Sequence, residues 1–438
     1  MLINKAEILD KFKNEKLVIG YELGDVMSQI SYCYLNSDEP ETLPVIAGTE
    51  QFNIPTVLCK RREVGQWFYG KDALKHAETD EGILLTDLVS LAKKGEPVQV
   101  EDAEFDPIAL LTLFVKRSLT LLGMVSGLEN VAALMFTCDE LDQRMIEVLT
   151  QVAAGIGLKN KKVYFQSHRE SFYYYMLYQP QELWNYQVLL CDYREKYMKI
   201  YRLECNKRTT PMVVYIETEE FPGFCLTEFP EDEYSRKMAM EERDSKFLDI
   251  LTKCVDGKIV SSVYLIGDGF KEEWMEASLR FLCKSRRVFR GNNLYSKGAC
   301  LGMKEKLSQS DLGSSYVFLG EDKLKANIGM SVLRRGVDSY FALLDAGQNW
   351  FDARKECEFI LESEPKFEIR VTPLNGKEVT MVEVSLEGME KRPEKVTRIH
   401  MEIYLKDANT VVLEMEDKGF GELFPATGKR WHEEFSVS

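Results

Sequence analysis

The chain has 438 residues, 45% hydrophobic and 29% charged, enough for two to four domains with real cores. Its formal charge of −15 argues against nucleic acid or an anionic membrane as main partner, because both are polyanions. No apolar run approaches the ~20 residues of a membrane span, and the N-terminus lacks an apolar signal core.

In chain order, Leu2, Ala6, Leu9 and Phe12 fall near helical spacing and predict a short amphipathic helix. Leu17 to Ile19 reads as a buried strand and Ile30 to Leu35 as a second. Between them stand Gly20, Glu22, Gly24 and Asp25. Glycine there permits backbone N–H groups to approach a phosphate, and an acidic side chain could hold Mg²⁺ through water. An ordinary hairpin with a glycine turn accounts for the same residues.

Residues 52–61 read as a strand, and 67–77 run from strand into helix. Asp106-Pro107 opens a long helix, 108–122, with proline in its first turn. Residues 130–137 form a continuous apolar strand of the buried parallel kind, with Asp139 as N-cap of the next helix. That helix puts Leu141, Met145, Val148, Val152 and Ile156 on one face. A strand at 162–167 and an aromatic helix at 171–178 follow, its Phe172 and tyrosines read as core packing. Residues 187–193 and 198–205 form a second strand–turn–strand. Residues 217–258 read as acidic and helical, 260–270 as a buried strand ending in Gly267 and Gly269, and 292–303 as a helix rich in small residues. Strands alternating with helices predict an α/β sheet covered by helices.

The character shifts near residue 309, where SQSDLGSSYVFLG resembles a linker. Beyond it the period is two: Ile399, Met401, Ile403 and Leu405, then Val411, Leu413 and Met415 after the turn at 407–409. That predicts an all-β, sandwich-like domain with no sizeable helix after 357. The ten cysteines show no CxxC pair and no zinc spacing, so Cys59, Cys138, Cys191 and Cys205 read as buried thiols in a reducing cytoplasm.

The order of the pieces resembles the actin-like ATPase superfamily, in which two related halves clasp a nucleotide, and within it the seventy-kilodalton heat-shock chaperones. The family's first phosphate hairpin, I-G-I-D-L-G-T-T, is similar to IGYELGDV, and its P-S or P-T pair to Pro55-Thr56. Its V-T-V-P-A…Q-R…A-G run resembles NVAALMFTCDELDQRMIEVLTQVAAGIGL. Its V-L-V-G-G-S and N-P-D-E-A-V-A-Y-G-A-A resemble YLIGDGF and NNLYSKGACLGM. TRIHMEIYLKDANTVVLEMEDKGFGE is similar to the hairpin of the chaperone substrate domain. The resemblance implies a duplicated, ribonuclease H-like α/β core over 1–308 and an all-β sandwich substrate-binding-like domain over 309–438, without the helical lid. It implies ATP or ADP with Mg as cofactor, near Glu22, Gly24, Asp25, Asp192, Gly267 and Gly269.

The chemistry departs from the family. Glu22 keeps the first acid one methylene longer, but Asp25 and Val26 replace the two threonines. The second hairpin, D-L-G-G-G-T-F-D in the family, is DYREKYMK: Asp192 matches the first acid, Arg194 and Glu195 stand among the glycine positions, and Lys199 takes the second acid. The acid of the family's E-P-T falls on Ser167-His168-Arg169, and the catalytic lysine has no match. Rebuilding a phosphate loop with bulky side chains predicts that hydrolysis is lost or nearly so. Arg194, Lys196 or Lys199 could supply charge to a bound nucleotide, or could simply face solvent. The functional expectation is a chaperone-like cytoplasmic protein binding a peptide or protein partner. An actin-like scaffold that self-associates or docks in an assembly is the alternative, and an active ATPase the third.

Overall fold

The computed structural model describes residues 15–62, 64–79, 82–158, 162–291, 293–374 and 378–437. The helix expected around Leu2 to Phe12 lies outside the described residues. The chain divides into two compact units between Tyr316 and Val317, eight residues beyond the composition shift near 309.

In the first unit, β1 (Leu17–Glu22) pairs antiparallel with β2 (Met27–Tyr34), which pairs with β3 (Glu41–Thr42). On its other side β1 runs parallel to β4 (Val131–Cys138), and β4 parallel to β5 (Lys162–Ser167). The path is β3-β2-β1-β4-β5. The second half repeats it. There β6 (Gln187–Tyr193) pairs antiparallel with β7 (Met198–Asn206), which pairs with β8 (Met212–Phe221). On the other side β6 runs parallel to β9 (Val260–Ile266), and β9 parallel to β10 (Arg287–Arg290). The shared order β8-β7-β6-β9-β10 is the duplication that the resemblance implied.

Why these residues make sheets is plain from burial. β1 and β6 are buried at every position, because helices cover both faces of their sheets. The register makes Glu22 and Asp192 equivalent. Glu22 ends β1 opposite Gln29 and Thr137, and Asp192 stands one residue before the end of β6 opposite Lys199 and Ile266. Each half therefore delivers one carboxylate at the C-terminal end of its central strand, where open α/β sheets place their ligands.

Small residues fix how the covering helices sit. Helix α6 (Leu294–Leu307) buries Ala299, Cys300 and Met303 against Val18, Cys33, Ala133 and Met135 of the first sheet. A Cβ on Gly20 would press into the Ser296 carbonyl and the Cys300 amide of α6, and one on Gly298 into Ser171 of α4 (His168–Leu177). These are backbone-to-backbone approaches that only glycine permits. Ser31 and Ser296 hydroxyls close the contact at 2.8 Å. Of the aromatic run of α4 and the Tyr178 that follows it, Phe172 is fully buried and Tyr173 nearly so, as core packing predicts, whereas Tyr174, Tyr175 and Tyr178 are half-buried.

Several expectations need correction. Residues 217–221, expected to be helical, are the end of strand β8, and the helix starts only at Glu233, capped by Asp232. The continuous partner pairing with β7 overrides the acidic composition of 217–220. Asp142, not Asp139, caps α3 (Gln143–Gly155), accepting from the Met145 amide at 2.7 Å. Contrary to the expectation that no apolar run approaches a membrane span, Pro107–Met124 has the length and hydropathy of one; Leu111, Phe114, Val115, Leu119 and Leu122 within it are buried. The four named cysteines carry free thiols, with Cys205 only half-buried.

The second unit is all-β among its described residues: two four-stranded antiparallel sheets. One has the order β12 (Val337–Leu344), β11 (Ala326–Arg334), β14 (Lys366–Pro373), β15 (Thr380–Ser385). The other has β13 (Arg354–Leu361), β16 (Thr397–Asp407), β17 (Thr410–Gly419), β18 (Arg430–Ser436). The alternation read from the sequence is the inward face, since Ile399, Met401, Ile403, Val411, Leu413 and Met415 share one apolar cluster with Ile328, Ile369 and Val384. A buried carboxylate pins its rim. Asp417 takes two hydrogen bonds from Arg392 at 2.8 and 2.7 Å, and others from Thr427 and the Gly419 amide.

Candidate functional site

The two hairpins, β1–β2 and β6–β7, face each other across a cleft of about 360 Å³ in the first unit. Its lining brings together Glu22, Gly24, Asp25, Gly267 and Asp268 with Arg194, His168 and Gln29. A short helix, Leu88–Lys94, contributes Val89, Ser90 and Lys93. Asp192 lies directly beneath, fully buried.

Arg194 organises this floor. Its Nε donates to both Asp192 oxygens at 2.9 and 3.2 Å, and its Nη2 donates to Glu22 Oε1 at 2.9 Å. One guanidinium therefore bridges the carboxylates of the two halves. The planar fork of arginine suits this double role, which lysine could not fill with the same geometry. Tyr295 of α6 also donates to Asp192, at 3.1 Å. Arg194 is thus not a solvent-facing charge, although about a quarter of its side chain (27%) remains exposed.

The balance of charge on the floor is negative. Burial raises the carboxyls of Glu22 and Asp192 above the ordinary range, and the shared guanidinium only partly opposes this. Arg194 stays firmly protonated between them. Lys199, at the position of the family's second acid, is spent elsewhere: it donates to Asp139 at 2.7 Å and pairs with Glu220 at 2.8 Å. Burial alone would raise Asp139; the Lys199 hydrogen bond and charge, with Arg194 nearby, outweigh that and hold its carboxyl low. Lys93 pairs with Asp142 at 2.7 Å, and Lys196 lies 3.7 Å from Asp87.

His168, the first residue of α4, is 3% exposed and stacks on Tyr295 with ring centroids 4.0 Å apart. Burial drives its pKa down to about 3, so the ring is neutral at physiological pH. Neither ring nitrogen has a hydrogen-bond partner among the described residues, and neither does Glu22 Oε2 or Gln29 Oε1. Buried polar atoms without partners are uncommon and call for an explanation.

The other expected site residues have local duties. Asp25 accepts from the Ser90 amide at 2.9 Å and the Ser90 hydroxyl at 2.5 Å. A Cβ on Gly24 would sit 2.8 Å from the Met27 carbonyl. Gly267 has φ +97°, and a Cβ there would collide with the Tyr193 backbone; one on Gly269 would collide with the Tyr193 ring. These glycines leave room for the chain itself. The residues present therefore do not fit a magnesium nucleotide: the paired carboxylates already hold a cation, and Lys93, Arg194 and Lys196 each have a carboxylate beside them. No group of three or more metal-ligating side chains occurs among the described residues.

Residues 39–321 match the C-terminal model of a family of unknown function, DUF5716. The chain belongs to this family. Residues 323–437 match a domain of unknown function, DUF8552, so the two matches meet within a few residues of the boundary between the units. No curated protein matches the chain. Among solved structures it is similar to a non-polymerising MamK mutant bound to AMPPNP, with 10% identity over 67% of this chain and 99% of that one at a TM-score of 0.40. It is also similar to MreB5 of Spiroplasma citri bound to ADP, with the same identity and coverage at a TM-score of 0.42.

Arg194 stood in the sequence as one of three cations of unspecified use. Its role was not legible there, because its partners lie 2 and 172 residues away. Gln29 lies in no motif, and although His168 falls where the resembled family has its E-P-T and Tyr295 lies within NNLYSKGACLGM, neither position announces a place on this floor.

Proposed function

We propose that this family member is a non-hydrolysing actin-like scaffold that self-associates or docks in an assembly. The observation that carries the reading is the Arg194 bridge between Glu22 and Asp192. In the resembled superfamily a bound nucleotide draws the two halves together. Here a side chain of the second half is bonded to the first, so that task is performed by the chain itself. A fixed clamp suits a static scaffold better than a chaperone cycle that must open and close. Peptide capture by the sandwich-like second unit remains the other reading, supported by the exposed Val337 and Tyr340 on its edge strand β12.

The test is magnesium-dependent ATP turnover by wild type beside Glu22→Ala and Asp192→Ala controls, with light scattering and negative-stain electron microscopy on the same samples. Wild-type turnover equal to the controls, together with defined oligomers or filaments, is expected. Turnover well above the controls would overturn the reading.

A further inference from the structure

The residues of the cleft do not fit a magnesium nucleotide, yet the side chains leave a space of about 360 Å³ between them. Its floor carries unpartnered atoms on three side chains: Glu22 Oε2, Gln29 Oε1 and both nitrogens of His168. All three side chains are more than nine-tenths buried and line the same cleft. Two of the four atoms are obligate acceptors, and a neutral imidazole adds one acceptor and one donor. The floor therefore lacks donors above all.

The walls agree. Six carboxylates line the cleft (Glu22, Asp25, Asp139, Glu140, Glu195, Asp268) against three cations, Lys93, Arg194 and Lys196. Each cation has a carboxylate neighbour, whereas no cation among the described residues lies within ion-pair distance of Glu140 or Glu195. Such a field repels phosphates and attracts positive charge. On the floor, one guanidinium is shared by two buried carboxylates, which leaves a negative remainder.

Resting on the reading that the cleft takes no magnesium nucleotide, we propose that it binds a small aliphatic polyamine. A primary ammonium brings three donors and a positive charge in a compact head, the chemistry that Glu22 Oε2, Gln29 Oε1 and the acceptor nitrogen of His168 lack. The second ammonium of a diamine or triamine would be neutralised by Glu140 and Glu195 at the mouth, both exposed. A cleft of about 360 Å³ holds a small molecule rather than a peptide segment.

The experiment is calorimetric titration of the full chain with spermidine and, separately, with ATP and magnesium, at 0.15 M and 0.5 M salt. The variants are His168→Phe, which keeps the stack on Tyr295 but removes both ring nitrogens, and Gln29→Met, which removes the orphan acceptor. Saturable one-to-one binding of spermidine, weakened at least tenfold in either folded variant, is expected. Circular dichroism establishes folding, and Gln29→Met carries the test if His168→Phe does not fold. No saturable heat at millimolar spermidine overturns the proposal. Binding unchanged in the variants, or lost to the same degree in all proteins at 0.5 M salt, also overturns it, since both mark a diffuse acidic surface. The readouts are separable: ATP turnover tests the scaffold reading, and spermidine binding without turnover leaves that reading standing.

Discussion

Replacing Arg194 with methionine should cost the first unit about 3 kcal/mol at pH 7.5. Removing one partner of a buried ion pair typically costs about 3–5 kcal/mol, because the remaining charge is left in a low dielectric. Here two carboxylates are left, one fully buried and one 3% exposed. The guanidinium is about a quarter exposed, and that screening places the estimate at the low end, ~3 kcal/mol. The sign with pH follows from the carboxyls. Burial already raises both, and the guanidinium is the largest effect opposing that rise. Without it they rise further, so the folded variant takes up protons more readily than the unfolded chain. The variant therefore regains stability as pH falls through those folded values, and the gap to wild type narrows between pH 7.5 and pH 5. The triple variant Glu22→Gln, Asp192→Asn, Arg194→Met removes the charges together and should lie within ~1 kcal/mol of wild type. The assay is urea unfolding by tryptophan fluorescence, with hydrogen exchange of the β1 and β6 amides assigning the transition of the first unit. A loss below 1 kcal/mol at pH 7.5, or a gap that widens on acidification, refutes the reasoning.

Two further outcomes concern the fold. Gly20→Ala drives a methyl into the backbone of α6, which cannot yield as a flexible side chain would; a loss of about 2 kcal/mol or more is expected, read as a lower thermal midpoint. In the second unit, Asp417→Asn strands Arg392, whose side chain is 5% exposed, and should cost about 3–5 kcal/mol in urea unfolding of that unit. Burial would raise the Asp417 carboxyl, but Arg392, Thr427 and the Gly419 amide hold it well below the usual range. Its contribution is thus present above the unfolded carboxyl value and lost as pH falls through the folded one, so wild type but not Asp417→Asn should lose stability steeply in acid.

Much of the architecture was legible because it is local. Apolar runs at 17–19, 130–137, 187–193 and 260–266 announce buried strands, and the strict alternation at 399–405 announces a half-buried one. These patterns report the period of the backbone, which each segment carries by itself. The failures were of another kind. Acidic 217–220 reads as a helix until β7 pairs with it, and Asp139 reads as a cap until Lys199 arrives from β7.

The sequence by itself determined two facts about function: a second hairpin with no glycine run, and an acidic side chain, Glu22 or Asp192, in each hairpin. Only the tertiary structure decided what they mean. Arg194 satisfies both acids at once because the duplicated topology brings the ends of β1 and β6 face to face, and the same closure buries His168 without a partner. Backbone periodicity is written along the chain. The electrostatics of a cleft depends on which charges meet across it, and those meetings follow from the packing of two halves more than a hundred residues apart.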